Sequence, residues 1–185
     1  MTKIFIRVFA LLLIIVAISC EKNRIDSPRQ LQEKEFKLLN EFLEVVPHDS
    51  INPEGLTVRD MWTKNAVDTI DQVGEEGILY FENVTGSGKV LEVGKEVGYR
   101  YIRSVIYTDS IGEPNWGAIS SNYYEVNPQT HVIGDASDNS VPAGVRQALI
   151  YMRKYGKSRV IVPSTQGGGN YETSIYDLEV TYAAN

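Results

Sequence analysis

Hydrophobic and polar positions give this chain three successive textures. Val8 to Ile18 is an unbroken apolar run of eleven residues. Leu31 to Val46 is periodic: Phe36, Leu39, Leu43 and Val46 recur at helical spacing, joined by Leu31, Leu38 and Phe42. That pattern predicts an amphipathic helix, with Ser27-Pro28 as a start signal and Pro47 as a stop. Such a helix either packs on the main domain or mediates pairing. Residues 49–76 are mixed and carry no clear period. Pro53-Glu54-Gly55 marks a turn there, and Met61-Trp62 is expected to dock on the fold at a place the sequence does not assign.

From Gly77 the third texture is β-strand. Ile78 to Val84 is β-rich, and Thr85-Gly86-Ser87-Gly88 is a turn. Val97 to Tyr107 alternates, with Tyr99, Tyr101, Val105 and Tyr107 in phase. Ile111 to Ser121 holds Gly112, Pro114 and Gly117, and reads as a loop or a bulged edge. Pro142 to Tyr155 predicts a second helix with Val145, Ala148, Leu149 and Met152 on one face. Pro142 suits its first turn, Ser140 its cap, and Gly156 its end. Arg159 to Pro163 is a strand, and Gln166 to Asn170 a flexible loop. Ser174 to Tyr182 sets Tyr176, Leu178, Val180 and Tyr182 against Asp177, Glu179 and Thr181, one face buried and one solvated as in an antiparallel sheet. Strands interrupted by one short helix predict an α+β fold, a curved antiparallel sheet wrapped on that helix and preceded by the N-terminal amphipathic helix.

Composition narrows the function classes. The chain has 185 residues, enough for one domain with a small extension. With 43% hydrophobic and 23% charged residues, wholesale disorder is excluded. A single Cys excludes an internal disulfide framework and any zinc site built on two or more cysteines. A net charge of −6 argues against nucleic acid as a partner. His48 and His131 lack metal-ligand spacing and are expected at the surface or as caps. Gly86-Ser87-Gly88-Lys89 lacks the full phosphate-loop pattern and reads as a turn. Gly167-Gly168-Gly169 reads as a mobile loop. The Asp68/Glu75/Glu76 and Asp135/Asp138 groups lack an ordered calcium loop and read as solvated acids. No metal and no cofactor is expected.

The N-terminus reads as an address. Lys3 and Arg7 precede an apolar run too short for a bilayer span but of signal-peptide length. It ends in Ala17-Ile18-Ser19-Cys20, which resembles a bacterial lipoprotein lipobox. The resemblance implies that residues 1–19 are removed, that Cys20 is lipidated, and that residues 20–30 form a polar tether. Several acyl chains make a stable anchor, at about 0.8 kcal/mol per buried methylene. Removal of residues 1–19 leaves 16 basic against 24 acidic residues. Asp49-Ser50-Ile51, Asp68-Thr69-Ile70 and Asp109-Ser110-Ile111 each resemble the short O-glycosylation motif of exported proteins of Bacteroides-type bacteria.

Five patterns, in order, carry a family resemblance over 77–185. They are Gly77-Ile78-Leu79-Tyr80 with Thr85-Gly86-Ser87-Gly88; Gly94-Lys95-Glu96-Val97 with Tyr99-Arg100-Tyr101; Val141-Pro142-Ala143-Gly144-Val145 with Ala148, Leu149 and Met152; Gly156-Lys157 with Val160-Ile161-Val162-Pro163-Ser164; and Thr173 to Val180. Together they resemble a divergent FKBP-type peptidyl-prolyl isomerase domain. With the lipobox and the helix region 31–76, the whole chain resembles FKBP-like lipoproteins of Bacteroides-type bacteria. The resemblance implies a pocket of Tyr101, Trp116, Ile119, Val141, Val145, Tyr171 and Tyr176. Tyr101 falls on the family's strand tyrosine and Tyr176 on its final-strand Phe. The family's pocket-floor Trp falls on Val145, and its pocket Asp on Ile119. Pro142 takes a position where the family has a backbone N–H. No catalytic nucleophile is implied, because the chemistry is rotation about an X-Pro bond over a barrier of about 18–20 kcal/mol.

The function this implies is a lipid-anchored envelope protein, in the outer membrane, with prolyl isomerase or foldase activity on exported proline-containing polypeptides. The alternatives are a non-catalytic FKBP-like module that binds an envelope partner, and a lipoprotein subunit of an outer-membrane complex using Leu31 to Val46 as its contact.

Overall fold

The computed structural model describes residues 26–47, 52–73, 77–167 and 169–184. The apolar run, Cys20, His48, the Asp49-Ser50-Ile51 motif, Glu75, Glu76 and Gly168 lie outside the described residues. Among the described residues, no helix is long and apolar enough to cross a membrane.

Helix α1 spans Pro28–Glu44, three residues earlier at its start than the periodicity alone suggests. Ser27 explains the difference. Its Oγ accepts from the Gln30 N–H at 3.4 Å, and its own N–H donates to Gln30 Oε1 at 2.9 Å, a reciprocal cap with Pro28 in the first helical turn. Further along, Leu39, Phe42 and Leu43 are buried. The helix does pack on the main domain.

The mixed segment after it holds two elements that the sequence did not signal. Asn52 organises their approach: its side chain donates to Pro47 O and Leu56 O and accepts from Leu56 N–H at 2.9 Å. Helix α2 (Val58–Lys64) follows, capped by Thr57, whose Oγ1 accepts from Asp60 N–H at 3.1 Å. Strand β1 (Asp68–Asp71) then joins the sheet.

The remaining elements are β2 (Leu79–Val84), β3 (Glu96–Thr108), β4 (Pro114–Ser121), β5 (Gln129–Val132), α3 (Ala143–Tyr151), β6 (Lys157–Val162), α4 (Ser164–Gly167) and β7 (Ser174–Ala183). All pairings are antiparallel, in the order β1-β2-β6-β7-β3-β4, with β5 also on β3. The α+β expectation holds. Gln32–Asn185 forms one compact unit by itself.

Period-two alternation divides the sheet into two apolar faces. On one, Val97, Tyr99, Tyr176, Leu178, Val180, Val160 and Tyr80 pack against Val145, Ala148, Leu149 and Met152 from the α3 region. On the other, Leu79, Phe81, Ile106, Ile161 and Ile175 pack against Leu39, Phe42 and Leu43 of α1 and Val58 and Trp62 of α2. Trp62 is the docking residue that the sequence left unplaced. It meets Phe42 and Phe81 edge-on at 5.8 and 5.7 Å, and the Arg159 guanidinium lies 4.5 Å above its ring.

Four expectations need correction. Helix α3 begins after Pro142 and ends at Tyr151 instead of running to Tyr155. Its last residues are claimed by tertiary hydrogen bonds: Arg153 bridges Val90, Lys154 N–H donates to Lys89 O, and Tyr155, in left-handed backbone at φ 68°, donates to Val180 O. Ser140 does not cap α3; its N–H and hydroxyl turn instead to Asp138. His131 is neither a surface nor a capping residue. It is 3% exposed, and its Nδ1 lies 2.9 Å from Asp138 Oδ2. Lastly, Gln166 and Gly167, the start of the expected loop, belong to the helical turn α4, after which Asn170 and Tyr171 adopt left-handed backbone.

Candidate functional site

The residues that converge on a concavity come mainly from β3. Tyr99, Tyr101 and Arg103 occupy alternate positions and project to the α3 side of the sheet. Register places Tyr176 of β7 and Ser120 of β4 opposite Arg103. The N-terminal end of α3 supplies Pro142 and Val145, and Gln129 and Ser140 close the rim. Together they enclose a cavity of about 190 Å³. The three rings form a continuous wall, with Tyr101 6.3 Å from Tyr99 and 6.0 Å from Tyr176 between ring centroids.

Polar side chains outside the cavity fix its walls. Asn122 Oδ1 accepts from Tyr101 N–H at 2.7 Å while its Nδ2 donates to Tyr99 O at 3.2 Å. Arg100, pointing away from the cavity, donates to the carbonyls of Asn122, Tyr123 and Glu125 and so fastens the segment leading into β5. Arg146 of α3 donates to Asp138 O and Val141 O, which ties the rim to the helix. Asp138 accepts from the Ser140 hydroxyl and faces His131, and these two interactions hold its carboxyl down at about 2.

Burial pushes the Tyr176 phenol above its ordinary range, with Arg103 opposing the shift. Burial likewise pushes the Tyr99 phenol up. Both therefore stay protonated at neutral pH and can donate a hydrogen bond. The cavity thus combines an aromatic wall, an apolar floor at Val145 and Pro142, and several hydrogen-bond donors. Among the described residues there is no cluster of His, Cys, Asp and Glu able to hold a metal ion.

Of the residues proposed from sequence, the cavity brings together Tyr101, Val145 and Tyr176. Val141 is buried in the core beneath them. Trp116 faces the opposite side of the sheet, 5.4 Å from Phe42 and 6.3 Å from Trp62 between centroids. Its register partner Ile106 belongs to that second core, which decides the side. Ile119 is the extra residue of a bulge, since Arg103 pairs Ser120 and Ser104 pairs Ala118, and it is 55% exposed. Tyr171 is 40% exposed and outside the lining. Tyr99 and Arg103 were missed as site residues, although the alternation through Tyr101 carries both.

No family model matches the chain, and no curated protein sequence matches it. Solved structures do. A peptidyl-prolyl cis-trans isomerase from Pseudomonas syringae pv. tomato aligns with a TM-score of 0.51 at 16% identity, covering 88% of this chain and all of the other. A structure named AtFKBP13 aligns with a TM-score of 0.45 at 18% identity, covering 58% of this chain and 93% of the other. At such identity the first likeness shows the fold: this chain has the FKBP-like α+β fold of a peptidyl-prolyl isomerase.

Proposed function

We propose that this chain is a lipid-anchored FKBP-like protein of the bacterial envelope whose tyrosine-walled cavity receives proline-containing segments of exported polypeptides and eases rotation about the X-Pro bond. The observation that carries this reading is the cavity itself, walled by Tyr99, Tyr101 and Tyr176 and floored by Val145 and Pro142, in an FKBP-like fold. Uncatalysed X-Pro rotation takes tens to hundreds of seconds. A low-polarity aromatic wall disfavours the charge-separated planar amide, and its shape holds the bond in the less polar twisted form. Neither step needs a metal or a covalent intermediate.

Anchoring follows from the lipobox-like Ala17-Ile18-Ser19-Cys20, with the outer membrane as the proposed site. The Cys20→Ala protein should lose palmitate labelling and membrane retention; retention unchanged would refute the anchor.

A second reading has its own observation. Val145 offers little floor area, and Pro142 at the start of α3 has no N–H to donate to a ligand carbonyl. These favour a peptide-binding module with little catalysis. Exchange spectroscopy on an X-Pro peptide with the full-length chain in detergent separates the two. Faster cis–trans exchange at micromolar protein supports the isomerase; peptide binding with unaltered exchange supports the module. Leu39, Phe42 and Leu43 of α1 are already covered by the chain's own sheet, which weighs against that helix face as a contact for an outer-membrane complex.

A further inference from the structure

We propose that the cavity selects a carboxylate, so that its preferred occupant is a peptide carrying a carboxylate next to proline. This rests on the reading above that the cavity receives a prolyl peptide. Arg103 is the observation behind it. The residue follows Tyr99 and Tyr101 on the same face of β3, lines the cavity, and is only partly buried. Its Nε donates to Ser174 Oγ at 3.1 Å, which fixes one edge of the guanidinium. The planar group carries five N–H donors, and the remaining four lie on its terminal nitrogens.

The acids nearby in sequence and on the rim are committed elsewhere. Asp177 and Glu179 alternate with Tyr176 and Leu178 onto the opposite face, where they pair with Arg159 and Lys157. Asp138 on the rim accepts from Ser140 and faces His131. Among the described residues, no carboxylate pairs with Arg103. A partly buried cation therefore sits in a concave site whose other polar groups include the phenols of Tyr99, Tyr101 and Tyr176. A carboxylate is the group that matches the fork of a guanidinium bidentately. The apolar surface of Pro142 and Val145, on the helix side of the same cavity, suits the pyrrolidine ring. Two sources supply the chemistry: an acidic side chain before proline, or the terminal carboxylate of a chain ending in proline.

The test is calorimetric titration of the full-length chain in detergent with two matched pairs of peptides. One pair is N-acetyl-Ala-Glu-Pro-Phe amide against its Gln analogue; the other is N-acetyl-Ala-Phe-Pro as free acid against its amide. The expected result is a preference for the carboxylate member of at least one pair by about tenfold in Kd, the ratio that 1.4 kcal/mol of binding free energy produces. Which pair shows it identifies the source. Arg103→Gln should abolish the preference, bringing each carboxylate peptide to the affinity of its own neutral partner, whereas Arg103→Lys should keep part of it. Equal affinity within both pairs, or a preference that survives Arg103→Gln, overturns the proposal. Those results with isomerisation intact leave the prolyl reading standing. An Arg103-dependent carboxylate preference without isomerisation supports the proposal and removes the catalytic reading.

Discussion

Glu35 shows how one charged side chain can hold a distant loop. At 5% exposure on α1, its carboxylate accepts from the Ser164 N–H at 2.7 Å, the Thr173 hydroxyl at 2.8 Å and the Ser164 hydroxyl. These donors bracket the segment between β6 and β7, so the N-terminal helix is keyed to both ends of that connection. Glu35→Ala strands a buried N–H and two hydroxyls, and urea unfolding should show a loss of about 2–3 kcal/mol. Asp138 makes a pH-dependent contribution instead. The hydrogen bonds it accepts from Ser140 and His131 lower its carboxyl to about 2, so its contribution is present above the unfolded value of about 3.9 and is lost as pH falls through about 2. Acid unfolding of Asp138→Asn should therefore show a shallower loss of stability between about pH 4 and 2 than the parent chain. An identical acid limb in both proteins contradicts the role given to Asp138.

At the scale of elements, the approach of α3 to the sheet sets the floor of the cavity. A Cβ on Gly144 would stand 2.6 Å from Val162 Cγ1 and 2.9 Å from Ile78 Cγ2, well inside contact distance. Gly144→Ala gains about 1 kcal/mol of helix propensity but overpacks the core, so the net expected loss is about 1–2 kcal/mol by thermal or urea unfolding. Trp116 tests which face of β4 matters. Trp116→Ala removes two edge-on aromatic contacts with α1 and α2 and should cost about 2 kcal/mol while leaving peptide affinity unchanged. Strands β3 and β7 were legible in the sequence because each alternates over most of its length, Val97 and Tyr99 and then Tyr176, Leu178 and Val180 facing the α3 side, with only Ile106 and Ile175 buried in the second core. The end of α3 was not, since the Arg153, Lys154 and Tyr155 backbone is taken by Val90, Lys89 and Val180, all distant along the chain. Helix α2 and β1 were hidden for a similar reason: each is short, and their docking depends on Phe42, Phe81 and β2. Tyr101, Val145 and Tyr176 were legible from motif order, whereas Trp116 and Ile119 were misplaced because a single bulge in β4 resets which side each residue faces.

For the whole molecule, the sheet is a partition between two cores with different work. The α3 side holds the cavity, and the α1–α2 side is apolar packing closed by Trp62 and Trp116. Removing residues 1–47 uncovers Trp62, Phe81, Ile106, Ile161 and Ile175, and the truncated chain should bind a hydrophobic dye and aggregate, as light scattering will report. The central claim concerns the other side, that the tyrosine-walled cavity is where prolyl bonds turn. Ser120 is exposed on edge strand β4 and lines the cavity, so Ser120→Trp fills it with little demand on folding. The deciding measurement is cis–trans exchange of an X-Pro peptide by NMR, run with the parent chain and with Ser120→Trp at matched circular dichroism. The account predicts exchange well above the uncatalysed rate with the parent chain and a return to that rate with the filled cavity. Exchange that is equally fast with both proteins would contradict it.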